Sequence, residues 1–243
     1  MRLPNNNCMR KFLFPLWIFT ILLCIIGFFF SQGYLWFVSP DWGKYPIRGI
    51  DVSHYQGNID WKKVSDSGIR FAYIKVTEWG DWMDDRFESN YVWARSAGVL
   101  IGAYHYYSLR IDPMKQFDHI IHTLSGKNLD LPLALDLEFW GNSSMRPDRE
   151  EFQKWLHILL EHLEAYQWRK PVLYMTYEFR EAYLGREFDT YPIWIRDIFA
   201  YPSIQSLALW QYKSRGHVSG IDGFVDLNTI SGRLESLSQK HFQ

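Results

Sequence analysis

Cysteine is nearly absent from this chain of 243 residues: only Cys8 and Cys24 occur. The long remainder can form no disulfide and no thiolate metal site. Clustered basic charge is also missing, since 26 Lys and Arg are balanced by 27 Asp and Glu, so no nucleic-acid partner is expected. No His-x-x-x-His pair or third ligand accompanies His54 or His105, so neither a metal nor another cofactor is expected. His119 and His122 have helical i,i+3 spacing and read as a solvated helix face. Internal repeats and long linkers are absent too, which leaves one main domain, expected to be a monomer.

What the chain does have is aromatic mass: 12 Trp, 15 Tyr and 17 Phe. Most of it serves core packing; the rest suits a carbohydrate cleft, because sugar rings lay their C–H faces on aromatic planes. A second abundance is the apolar run Phe12 to Phe30. About 19 residues at 1.5 Å rise span roughly 28 Å, close to the hydrocarbon thickness of a bilayer. Arg2, Arg10 and Lys11 precede the run and no acid does, which predicts a cytoplasmic N-terminus. The following Ser-Gln-Gly-Tyr-Leu-Trp is a poor signal-cleavage site, and Cys24 follows Leu23 rather than a small residue, unlike a lipoprotein signal. The expectation is a short cytoplasmic segment (1–11), one uncleaved transmembrane anchor (12–30), a stalk (31–46) and an extracytoplasmic domain (47–243), single-pass in the cytoplasmic membrane. Taking the three N-terminal basic residues from the 26 leaves 23 against 27 acids, so the exported part carries about −4.

From residue 47 onward apolar runs alternate with amphipathic stretches. Strands are expected at 47–52, 69–76, 99–106, 133–137, 171–175, 193–195 and 207–212. Helices are expected near 61–67, 86–97, 113–125, 149–166 and 179–184, with Gly68 and Gly98 at helix C-termini. This alternation predicts an α/β fold with a largely parallel sheet.

One segment combines an apolar run with charge. Leu133-Ala134-Leu135-Asp136-Leu137-Glu138 reads as a strand buried on both faces that ends in two carboxylates on one face. Their backbones lie roughly 7 Å apart, so each charge favours protonation of the other. A general acid beside an ionised partner suits acid-assisted cleavage of a glycosidic bond. Other strand ends carry polar groups as well: Asp51, Ser53 and His54; Lys75, Thr77 and Glu78; Tyr104 and His105. In a parallel barrel those ends meet at one mouth, where active sites are built.

Several ordered motifs together resemble glycoside hydrolase family 25, the Chalaropsis-type lysozymes or N-acetylmuramidases. They are Gly49-Ile50-Asp51-Val52-Ser53, Gln56-Gly57, Ile59-Asp60-Trp61, Ile74-Lys75-Val76-Thr77-Glu78, Gly102-Ala103-Tyr104-His105-Tyr106, Leu135-Asp136-Leu137-Glu138, Trp210-Gln211-Tyr212 and Val225-Asp226-Leu227-Asn228. They cover about residues 47–230. The resemblance implies an irregular, TIM-barrel-like β/α barrel as the catalytic domain, cleaving the β-1,4 bond after N-acetylmuramic acid in peptidoglycan. Carried over by motif, Glu138 is the general acid and Asp136 its partner, with Asp51 and Asp226 completing an acidic cluster. Lys75, Glu78, Tyr104 and Trp210 are expected to line the sugar groove.

Duller roles stand beside these. Asp51 and Asp226 could cap turns, Lys75 could only pair with a carboxylate, and Tyr104 and Trp210 could be core. The chain also departs from the family pattern. Trp79 stands where glycine is usual after Glu78, either narrowing the groove or adding a stacking platform. In Trp194-Ile195-Arg196-Asp197-Ile198, Arg196 and Ile198 replace a small and an aromatic residue. Two other functions compete: a same-fold glycosidase on another N-acetylated polymer such as chitin, and a non-catalytic wall-binding module. Inversion, a covalent intermediate and acetamido participation all remain open at this level.

Overall fold

In the computed structural model, residues 6–142 and 146–232 are described, with side chains from Trp17 onward. Two units form, Met1–Phe37 and Val38–Gln243, so the expected stalk straddles their division. The first contains helix α1 (Asn6–Ser31). Ten large apolar side chains between Trp17 and Phe29 are exposed on it. Among the described residues no helix is long and apolar enough to cross a membrane. Described side chains begin at Trp17, and the stretch from there to Ser31 rises only about 22 Å, short of a bilayer core. The membrane span expected over 12–30 is therefore not shown by the described residues, and the side chains of 12–16 lie outside them.

The second unit is an eight-stranded barrel. Its strands are β1 (Arg48–Val52), β2 (Phe71–Glu78), β4 (Leu100–Tyr106), β5 (Ala134–Leu137), β6 (Val172–Met175), β7 (Ile193–Arg196), β8 (Leu207–Gly216) and β9 (Val225–Ile230), with a two-residue strand β3 (Trp82–Met83) appended to β2. The order β1-β9-β8-β7-β6-β5-β4-β2 closes through β1–β2 pairing. All seven predicted strands form. The two that were not predicted are β3 and β9, and β9 breaks the parallel pattern by running antiparallel to both β1 and β8. Only tight turns near Gly220 and Gly223 separate β8 from β9, too short a connection for a parallel crossover.

Helices α2 (Trp61–Asp66), α3 (Phe87–Ser96), α4 (Pro113–Thr123), α5 (Arg149–Gln167) and α6 (Tyr177–Tyr183) follow barrel strands. Their starts are chemical. Asp60, Asp112, Asp148 and Thr176 each accept a hydrogen bond from a first-turn backbone N–H, and Pro113 opens α4 without an N–H to satisfy. Gly68 and Gly98 take φ of +90° and +76° where α2 and α3 end, as expected.

Strand alternation divides the core in two. Ile50, Ile74, Ile101, Leu135, Leu173 and Ile195 face the helices in one cluster. Phe71, Tyr73, Ala134, Val172, Trp194, Leu209 and Ile230 fill the barrel interior in a second. The interior needs gaps for its rings. A Cβ on Gly49 would lie 2.2 Å from the Phe71 ring, and one on Gly102 would lie 2.4 Å from that of Tyr73.

Candidate active site

Two residues further along several of these strands, the interior changes character. Tyr73 gives way to Lys75, Ala134 to Asp136, Val172 to Tyr174 and Trp194 to Arg196. Since i and i+2 share a face, these side chains stand directly above the packed floor. Together with Asp51, Tyr104, Glu138 and Asp226 they line a cleft of about 740 Å³.

The four predicted acids thus meet. Asp51 and Asp226 are register partners across the antiparallel β1–β9 pair, an arrangement that is repulsive when both are ionised. Burial, reinforced by the Glu138 charge, pushes Asp51 up to about 7, against the pull of its Asn228 hydrogen bond and of Arg196. Burial also raises Asp226 well above the usual range, with the Asp51 charge adding to it. Asp136 is raised in the same way by burial and by Glu138, and its Oδ1 is buried without a hydrogen-bond partner among the described residues. Glu138 follows the last residue of β5; burial raises its carboxyl, while Arg196 and Lys75 pull the other way. A carboxyl raised above its ordinary range at the cleft wall suits proton donation.

Asn228 fixes part of this frame. Its Nδ2 donates to Asp51 Oδ1 at 2.6 Å, and its Oδ1 accepts from Trp194 Nε1 at 2.9 Å. Tyr174 donates its hydroxyl to Gln211 Oε1 at 2.7 Å. Lys75 is buried, with its Nζ against Glu78 Oε2 and 5.0 Å from the centroid of the Tyr106 ring. Lys75 thus pairs with Glu78 rather than with one of the four cluster acids, and its side chain also lines the cleft.

Two of the expected groove residues lie elsewhere. Glu78 holds Lys75 and is not in the cleft lining. Trp210 is fully buried in the helix-side core and donates its Nε1–H to the Asp197 carbonyl at 2.7 Å. Alternation along β8 explains this: Gln211 points inward, so Trp210 points outward. Trp79 is likewise absent from the lining. It sits at φ +57°, the left-handed region that favours glycine, so the departure falls at a strained turn rather than on the groove. Sequence reading missed Tyr106, Tyr174, Gln211, Tyr55 and Trp140 as lining residues. Tyr106 carries a signal in strand parity, since it shares a face with Tyr104; Tyr174 and Gln211 show only through their cross-strand partners Asp136 and Arg196, and Tyr55 and Trp140 lie off the strands and carry none.

One group among the described residues has metal-like geometry: His54, Asp84 and Asp85, with ligand atoms within 4.8 Å of one another. Asp84 is already committed, accepting the His54 and Arg86 backbone N–H groups and facing His54 Nδ1, so it fits a loop lock better than an ion. His105 is buried between Thr77 and Gln116, which burial drives down to about 4.

The family described as Glycosyl hydrolases family 25 matches residues 50–221. The chain belongs to that family. Its relatives include Lysozyme M1 of Streptomyces globisporus, 32% identical, with 79% of this chain and 70% of the relative covered. The Escherichia coli (strain K12) protein YegX is 36% identical, with 80% and 73% covered. Among solved structures, a family 25 glycosyl hydrolase from Bacillus anthracis superposes with a TM-score of 0.77 at 31% identity, covering 84% of this chain and 96% of that one. The chain is a family 25 glycoside hydrolase on the family's mixed eight-stranded α/β barrel.

Proposed function

We infer that this family 25 enzyme is a muramidase, hydrolysing the β-1,4 bond between N-acetylmuramic acid and N-acetylglucosamine in peptidoglycan. The observation that carries the reading is the Glu138 carboxyl, raised by burial at the wall of a cleft that also holds Asp51, Asp136, Glu178 and Asp226. Glu138 donates its proton to the leaving glycosidic oxygen. The developing positive charge on the sugar ring is met by the remaining carboxylates, and the unpartnered Oδ1 of Asp136 is placed to engage the substrate. Tyr55 and Trp140, both largely exposed and both in the lining, give flat surfaces for sugar rings at the rim. Binding alone would not require four acids held above their ordinary range, which favours an enzyme over a wall-binding module.

The test is release of reducing sugar from purified peptidoglycan. Glu138→Gln is expected to lower the rate by about 10²–10⁴-fold with circular dichroism and Tm kept. Undiminished release would remove Glu138 from the role.

The apolar segment 12–30 anchors the enzyme in the cytoplasmic membrane with its N-terminus inside and the barrel outside. Support comes from the length and flanking charges of the segment, and from exposed apolar side chains around α1 that would otherwise face water. The full chain is expected in the membrane fraction after carbonate washing, and residues 38–243 alone in the supernatant. Recovery of both forms in the supernatant would contradict the anchor.

A further inference from the structure

The cleft holds a cation that its own chemistry leaves unused. Five acids line it, Asp51, Asp136, Glu138, Glu178 and Asp226, against three cations, Lys75, Arg146 and Arg196. Lys75 is paired with Glu78, and the Arg146 guanidinium lies 4.0 Å from the centroid of the Phe139 ring. Arg196 differs. It ends β7, two residues beyond the floor residue Trp194, and it is half-buried in the lining. Among the described residues no carboxylate forms an ion pair with it. A residue serving only to neutralise the acids would be expected to bridge one of them. Instead it lines the same cleft as the acids, and its charge acts on Glu138, Asp51 and Asp226.

An acid-rich cleft repels an anionic ligand unless a cation receives the charge. The two sugars of the wall polymer differ here: N-acetylglucosamine is neutral, whereas muramic acid carries a lactyl ether ending in a carboxyl group. That group is anionic only where no stem peptide is attached to it. A guanidinium presents two parallel N–H donors matched to a carboxylate.

We propose that Arg196 is a specificity residue that binds the free lactyl carboxylate of a muramic acid unit, directing the enzyme to glycan strands stripped of their stem peptides. The proposal rests on the muramidase reading. It places the anionic sugar at the β7 side of the cleft, next to Glu138, where the chain departs from the small residue of the family pattern.

The experiment compares two substrates with the full chain: peptide-free glycan strands bearing lactyl carboxylates, and the same strands after carbodiimide conversion of those groups to neutral amides. Wild type is expected to show a KM about 10–100-fold lower on the carboxylate strands, the scale of a charge-assisted pair. Arg196→Gln should collapse that preference toward unity, and Arg196→Lys should restore part of it. Equal KM values for wild type on the two substrates would overturn the proposal while leaving the muramidase reading intact. So would an Arg196→Gln loss of the same factor on both, with one common shift of the pH profile, because that marks a residue that only tunes the acids. Wild type that cleaves intact peptidoglycan but neither peptide-free substrate overturns the proposal alone, and wild type that cleaves none of the three contradicts the muramidase reading and the proposal with it.

Discussion

The floor and the mouth of the barrel interior are built from the same face of the same strands, two residues apart, yet they obey opposite rules. On the floor, Tyr73 and Trp194 pack with ring centroids 4.8 Å apart, and Gly102 clears the space they need. At the mouth, Lys75 and Arg196 stand above those rings among four acids raised by burial. The floor gains stability from removing apolar surface from water. The mouth gives some of it up, because buried carboxylates that lack partners disfavour the folded state once ionised. The strand framework tolerates both because alternation keeps the helix-facing core continuous behind each.

Changes at the mouth should therefore alter activity and leave or improve stability, and changes on the floor should do the reverse. After Glu138→Gln, the largest expected effect is at Asp136. Asp136→Asn should lower turnover by about 10²-fold. The same change should raise Tm by several degrees at neutral pH, since Asn fills the space without ionising. The sign follows from linkage. A carboxyl raised on folding contributes stability that is fully present below its unfolded pKa and lost as pH rises through its folded value. The Tm gain of the variant should therefore vanish near pH 4 and grow toward pH 8 in thermal melts. A gain that is constant with pH would mean that ionisation is not the cost.

Gly102→Ala tests the other side. Its Cβ cannot coexist with the Tyr73 ring, so a loss of about 1–3 kcal/mol is expected from overpacking, read from urea unfolding. Activity per folded molecule should change less than in Asp136→Asn. Full stability in this variant would show that the floor repacks freely. The smallest effect is expected at Trp79, outside both regions. Trp79→Gly should stabilise by about 1 kcal/mol through relief of the left-handed conformation, with turnover unchanged, since the ring does not line the cleft. Loss of activity there would return Trp79 to the groove.

Much of this was legible beforehand, and the failures have identifiable causes. Strand positions and the Asp136–Glu138 pair could be read because apolar runs and i,i+2 spacing survive in one dimension; Asp51 was legible as a strand-end acid, and Asp226 only through the family resemblance. Trp210 and Glu78 were misplaced because a motif preserves identity without direction; parity with Gln211 turns Trp210 outward, and Lys75 claims Glu78. Strand β9 carries its own period-2 signal in Val225-Asp226-Leu227-Asn228-Thr229-Ile230, with Asp226 and Asn228 as the inward polar half of that alternation. Arg196 was visible only as an irregularity until the barrel placed it among the acids. Tyr55, in a single 3-10 turn after β1, and Trp140, in a turn after β5, lie in stretches too short to show a period.

The most direct test of the central claim is mass spectrometry of products from purified peptidoglycan digested by the full chain. The account predicts fragments with muramic acid at the reducing end, absent when Glu138→Gln replaces the wild type. Fragments ending in reducing N-acetylglucosamine, or identical digestion by both proteins, would contradict it.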